Sequence, residues 1–297
     1  METILQTSQL TKCFGKKIAV NNVSMCINKG EIYGFIGKNG AGKTTFMRTI
    51  LGMANPTSGT ISLFGGIPAA EAGKKIGALI EAPGLYSNCT AYENMKRFSI
   101  LYGGAEEDIK KILEFVGLGD TGKKKAREFS LGMKQRLGIA IALLGNPEFM
   151  ILDEPVNGLD PSGMKEIRDL IIKLNKEKQI TFLISSHLLD ELSKIATKYG
   201  IINDGHLIEE FTPEELAERC RHKLKIDVDD TARAAQILTE IVPENDIKIS
   251  GNTVILLSHI DESAEMNRLL AKNDILVSRI ETETDSLEKY FMERIGG

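Results

Sequence analysis

Short β-rich runs alternate with stretches of helical period along the first two-thirds of the chain. Runs at 4–7, 19–27, 32–36, 60–64, 76–80, 149–153, 181–185, 199–203 and 206–210 are apolar or β-branched and predict strands. Strand alternating with helix predicts an α/β fold with a largely parallel sheet. Between Ile80 and Phe149 the alternation stops. Residues from about 91 to 144 read as several helices, broken by Gly103-Gly104 and by the stretch from Gly117 to Arg127. A helical insertion at about 86–147 fits this better than one continuous doubly wound sheet.

After Thr212-Pro213 the pattern changes. A helix over 214–220 leads into a strand at 223–228 and a helix at 231–241. Strands at 246–249 and 253–258 follow, joined by the turn Ser250-Gly251-Asn252. Then come a helix at 262–271, a strand at 275–281 and a helix at 286–294. The order βαββαβ predicts a small α+β unit of ferredoxin-like topology over 222–297, behind a larger domain over 1–221.

A length of 297 residues agrees with two domains. With 42% hydrophobic and 26% charged residues, the chain has the composition of a folded protein rather than a disordered one. The formal charge of −4 supplies no basic field, so no nucleic-acid partner is expected. That charge is uneven: residues 222–297 hold nine Lys and Arg against fifteen Asp and Glu. The best apolar run, Leu137 to Gly145, is half of what a membrane span needs, and the first residues show no secretory pattern. A cytoplasmic chain is expected. Cys13, Cys26, Cys89 and Cys220 match neither zinc spacing nor a disulfide framework, so they read as reduced thiols.

The chemistry concentrates in one loop. Gly37-Lys38-Asn39-Gly40-Ala41-Gly42-Lys43-Thr44 satisfies G-x-x-x-x-G-K-[ST] between a strand and a helix. Glycines let backbone N–H groups curl around a phosphate, and the helix N-terminus adds favourable potential. Lys43 is expected to bridge the β- and γ-phosphates, the Thr44 hydroxyl to ligate Mg²⁺, and Thr45 to reach the α-phosphate. The apolar strand Phe149–Leu152 runs into Asp153 and Glu154. Asp153 is expected to hold Mg²⁺ opposite Thr44, and Glu154 to polarise the attacking water. Phe129–Gln135 opens a helix with Ser130 at a natural N-cap, a second anion site when a phosphate is nearby.

In this order and spacing the set resembles the nucleotide-binding subunit of ATP-binding-cassette transporters, over residues 1 to about 220. The resemblance implies a P-loop NTPase core of RecA-like type. It makes Gly37–Thr45 the Walker A loop and Phe149–Glu154 the Walker B strand with Glu154 catalytic. Phe129–Met133 aligns with the signature motif, so that Ser130, Gly132 and Met133 would touch nucleotide. Asn157–Asp160 is similar to the D-loop, His187 to the switch histidine, and Phe14 to the aromatic that stacks on adenine. Without the resemblance, Phe14 is an ordinary edge-strand aromatic and His187 a satisfied polar residue. Two positions depart from the family: the signature reads FSLGM, and Glu81 stands where a glutamine is usual. A glutamate there can ligate Mg²⁺ but offers no amide donor. It resembles exporters for bacitracin and lantibiotic self-protection, as does the short acidic C-terminal extension.

The resemblance implies a homodimer with ATP held head to tail, and a separate polytopic permease on whose cytoplasmic face the subunit sits. The expected function is ATP hydrolysis powering export of a peptide antibiotic. The alternatives are efflux of an unrelated small molecule, or a soluble cassette acting on ribosomes or DNA. A single phosphate loop and an acidic tail disfavour the latter. Lys123–Arg127 reads as a solvated basic loop, with anionic lipid headgroups as the other reading.

Overall fold

The computed structural model describes residues 2–102, 106–219, 222–284, 290, 291 and 294. It separates two compact units, Met1–Pro213 and Glu214–Gly297, where the sequence pattern drew the division at 221/222. The first unit opens with β1 (Thr3–Phe14), β2 (Lys17–Asn28) and β3 (Ile32–Ile36), followed by α1 (Lys43–Ile50) and β4 (Ser58–Leu63). Next come α2 (Ala69–Lys74), β5 (Ile76–Leu79), α3 (Ala91–Tyr102), α4 (Glu106–Phe115) and α5 (Leu131–Ala142). It closes with β6 (Phe149–Asp153), α6 (Pro161–Lys178), β7 (Thr181–Ser186), α7 (Leu189–Leu192), β8 (Lys198–Asn203) and β9 (His206–Phe211).

Six of these strands form one sheet in the order β5-β6-β7-β3-β8-β9, parallel except for β9. Every residue of β3, β6 and β7 is buried, as a parallel sheet covered on both faces requires. Because β6, β7 and β3 are parallel neighbours, the segments leaving them emerge together at one edge. That edge is where open α/β sheets bind ligands.

The largely parallel sheet is as expected, but β1, β2 and β4, whose runs the pattern did not separate from it, form their own antiparallel sheet in the order β2-β1-β4. The reason is the connection. Only Gly15 and Lys16 join β1 to β2, and two residues can reverse a strand but cannot carry it to a parallel neighbour. The two sheets share a core in which Leu5, Val20 and Ile27 pack with Phe35, Phe46 and Ile151. Tyr33, fully buried on β3, donates to Glu210 at 2.9 Å. Burial, reinforced by the Glu210 carboxylate, pushes its phenol well above the usual range, so it stays a donor.

Helices α3, α4 and α5 make the expected insertion. Asn94, fully buried, ties its entry: its amide nitrogen donates to Tyr86 O (3.1 Å) and Thr90 O (2.9 Å), and its oxygen accepts from Tyr86 N (2.8 Å).

In the second unit, α8 (Pro213–Arg219) begins at the boundary, followed by β10 (His222–Val228), α9 (Thr231–Leu238), β11 (Ile247–Ser250), β12 (Thr253–Leu256), α10 (Ser263–Lys272) and β13 (Val277–Thr284). The antiparallel order β11-β12-β10-β13 is the ferredoxin-like arrangement. Its own core joins Leu224, Ile226 and Val254 of the sheet to Leu238 and Met266 of the helices. Helix α9 stops at Leu238 instead of the expected Ile241, as the chain beyond it tightens into i→i−3 bonds from Glu240 N to Ile237 O and from Ile241 N to Leu238 O. Most of the helix expected at 286–294, like Cys220, lies outside the described residues; Cys13, Cys26 and Cys89 are free thiols. No helix among the described residues is long and apolar enough to cross a membrane.

Candidate functional site

The loop from Gly37 to Gly42 carries β3 into α1 under tight packing. Gly42, the N-cap, has φ +110°, and a Cβ there would fall 2.4 Å from the Ala19 carbonyl oxygen. At Gly37 a Cβ would meet the Ile202 carbonyl oxygen at 2.5 Å. Only glycine lets the loop close this tightly. Phe46 and Met47 are fully buried and anchor α1 behind it. Helix α1 has no side-chain cap and no acidic residue in its first turn, so its leading N–H groups are left for an anion.

Lys43 is 5% exposed, and its ammonium donates to Gly37 O at 2.6 Å and Lys38 O at 3.3 Å. It also lies 3.1 Å from Glu154 Oε1. That approach is off the hydrogen-bonding direction, and among the described residues no other donor reaches the buried Oε1. The other oxygen, Oε2, lies 2.8 Å from His187 Nδ1. Glu154 has φ +50°, a left-handed backbone that costs about 1–2 kcal/mol outside glycine. A bend at the end of β6 therefore aims this carboxylate between a lysine and a histidine from two neighbouring segments.

One residue earlier, Asp153 Oδ2 accepts from the Thr44 hydroxyl at 2.7 Å, and Oδ1 accepts from Ser185 at 2.5 Å. Ser185 Oγ in turn accepts from Glu154 N at 2.9 Å. Thr44 and Asp153 present two hard oxygens side by side, the donor set Mg²⁺ prefers. The residues fit that ion.

A cavity of about 400 Å³ opens over the loop, lined by Asn39, Gly40, Gly42, Lys43, Thr44, Thr45 and Glu154. Ala41 is buried beneath it. Lys17, Ile18 and Asp204 line its other side, and the sequence reading did not single them out. The signal for Lys17 and Ile18 was their place beside Phe14 in a tight hairpin. Phe14 itself does not line the cavity; it is 54% exposed, with the Lys12 ammonium 4.8 Å from its ring centre.

Ser130, Gly132, Met133 and Asp160 lie away from this cavity in the chain. Ser130 caps α5 by accepting from Met133 N at 3.2 Å, and Asp160 caps α6 by accepting from Gly163 N at 3.0 Å. The two caps are neighbours, for Gly132 faces Leu159 and Gly163, and Leu131 faces Gly158. Glu81, 63% exposed, pairs with Arg48 at 2.9 Å and is turned to that residue rather than to Thr44 and Asp153.

Comparison with known proteins gives this geometry a context. The model of the ABC transporter family matches residues 20–157. The bacitracin transport ATP-binding protein BcrA of Enterococcus faecalis is 43% identical over 301 residues, spanning 100% of this chain and 98% of that protein. The lantibiotic transport ATP-binding protein SrtF of Streptococcus pyogenes is 46% identical over 205 residues, covering 69% of this chain and 89% of its own. Among solved structures, the dimeric post-hydrolysis state of the ATP-binding cassette MJ0796 with ADP and Pi superposes with a TM-score of 0.62 at 26% identity, covering 71% of this chain and 99% of that one.

Proposed function

The chain belongs to the ABC transporter family and is an ATPase subunit, and from that premise we propose that it powers export of a peptide antibiotic of the bacitracin or lantibiotic class. Two relatives that together cover the whole length carry such names, which supports the cargo class. The subunit sits on the cytoplasmic face of the membrane against a separate permease.

The observation that carries the mechanism is Glu154 held between Lys43 and His187. On binding, the β- and γ-phosphates of ATP would draw the Lys43 ammonium away from both the Gly37 carbonyl and the Glu154 carboxylate. Glu154, freed on that side and oriented by His187 on the other, takes the proton of the attacking water. Thr44 and Asp153 would hold Mg²⁺, which would neutralise charge on the phosphates. Ser130, Gly132 and Met133 lie outside the cavity, and they would reach nucleotide from a second copy packed head to tail. Asp160 lies beside them at the same face. Phe14, opposite Lys17 at the hairpin tip, would stack on an adenine that extends beyond the cavity.

The test expresses the chain with its permease in a sensitive Gram-positive host, beside the Glu154→Gln form. Wild type should raise the inhibitory concentration of bacitracin or a lantibiotic, and Glu154→Gln should not. Active ATPase with unchanged susceptibility to both would sink the cargo assignment while leaving the enzyme intact.

A further inference from the structure

Strands β5 and β6 run parallel with Leu79 opposite Leu152, so Ile80 and Glu81 leave the sheet alongside Asp153 and Glu154. Both glutamates turn through left-handed backbone, φ +61° at Glu81 and +50° at Glu154. Two adjacent strand ends thus present carboxylates through the same strained bend.

Helix α1 faces them with two residues one turn apart. Thr44 donates to Asp153 at 2.7 Å, and Arg48, four residues on, pairs with Glu81 at 2.9 Å. Four residues rise about 6 Å along a helix and return to the same face. The helix and the strand ends are therefore joined by two rungs: one at the oxygens that suit Mg²⁺, and one where an arginine occupies the neighbouring carboxylate. Arg48 also sits in the last turn of α1, where the helix dipole favours a cation.

We infer that Arg48 is a positioning residue that competes with the metal ion for Glu81 and thereby sets how strongly nucleotide binding depends on Mg²⁺. This rests on the reading of Glu81 as a Mg²⁺ ligand. While the guanidinium holds Glu81, the Thr44 and Asp153 rung has one carboxylate fewer to offer. Once Glu81 leaves Arg48 it becomes the extra hard oxygen that the rung lacks. The exchange partner is another fixed charge, so the balance is shallow and responds to small shifts of the segment after β5.

The test is calorimetric binding of the non-hydrolysable analogue AMPPNP to the full chain, with Mg²⁺ and with EDTA. The ratio of the two dissociation constants reads the coupling to metal. Arg48→Gln should raise that ratio about threefold, the scale set by an exposed ion pair. Arg48→Lys, which keeps the charge, should stay near wild type and controls for folding. Glu81→Gln should lower the ratio, and adding Arg48→Gln to it should change nothing more. If Glu81→Gln leaves the ratio unchanged, Glu81 is no ligand and the inference falls with it. If Glu81→Gln lowers it but Arg48→Gln has no effect, the ligand reading stands and the competition is refuted. An equal shift from Arg48→Gln in both backgrounds would mean a plain charge effect, and that too overturns it.

Discussion

Replacing Glu154 by Gln keeps the length of the side chain and its approach to His187 while removing the proton acceptor. Turnover should fall by at least about 100-fold, the usual worth of a general base, with ATP affinity retained. ATP should then trap a dimer that elutes early in size exclusion; wild-type turnover would dismiss Glu154 as the base. Lys43→Ala acts on the other half of the cycle. It removes a charge-assisted bond worth about 1.5–3 kcal/mol, so nucleotide affinity should drop roughly 10- to 100-fold, which equilibrium binding measures. At this scale the meeting of Lys43 with Glu154 and of Thr44 with Asp153 was legible in the sequence, because a glycine-rich loop and an apolar strand ending in two carboxylates carry recognisable spacing. Ser185 was not singled out. A serine at a buried strand end looks structural until its hydroxyl is seen linking Asp153 to the Glu154 amide. Nor could spacing show that Glu81 turns to Arg48, since that depends on a backbone bend at one residue.

The segment between β3 and α1 is shaped by what surrounds it more than by its own propensity. Gly42 combines φ +110° with a carbonyl 2.4 Å from where a Cβ would stand. Gly42→Ala should therefore cost about 1–3 kcal/mol in stability and open the loop. The sharper readout is linkage: saturating ATP with Mg²⁺ stabilises the wild type by RT ln(1 + [L]/Kd), and the rise in Tm should vanish in the variant. An undiminished shift would show that the cradle tolerates a side chain. The parallel strands were readable because burial on both faces leaves continuous apolar runs such as Phe149–Leu152. The separate antiparallel sheet was not, because β1 and β2 look alike in either sheet. Only the two-residue link between them forces the hairpin.

On the scale of the whole molecule, each unit has its own core. Phe35, Phe46 and Ile151 belong to one, and Leu224, Leu238 and Met266 to the other. Every group placed at the phosphate cavity, from Lys17 to Asp204, comes from the first unit, as do Ser130 and Asp160 at the proposed dimer face. The acidic excess of the C-terminal residues adds nothing to triphosphate affinity by this account, since anions repel. A chain ending at Pro213 should therefore fold cooperatively and bind ATP with Mg²⁺ within about threefold of the full chain, a difference under 1 kcal/mol. Circular dichroism establishes folding first, and nucleotide titration follows. If the truncated chain melts cooperatively yet fails to bind ATP, residues beyond 213 complete the site. If it binds ATP but no longer supports resistance in cells carrying the permease, the ferredoxin-like unit acts in assembly or coupling, downstream of the chemistry.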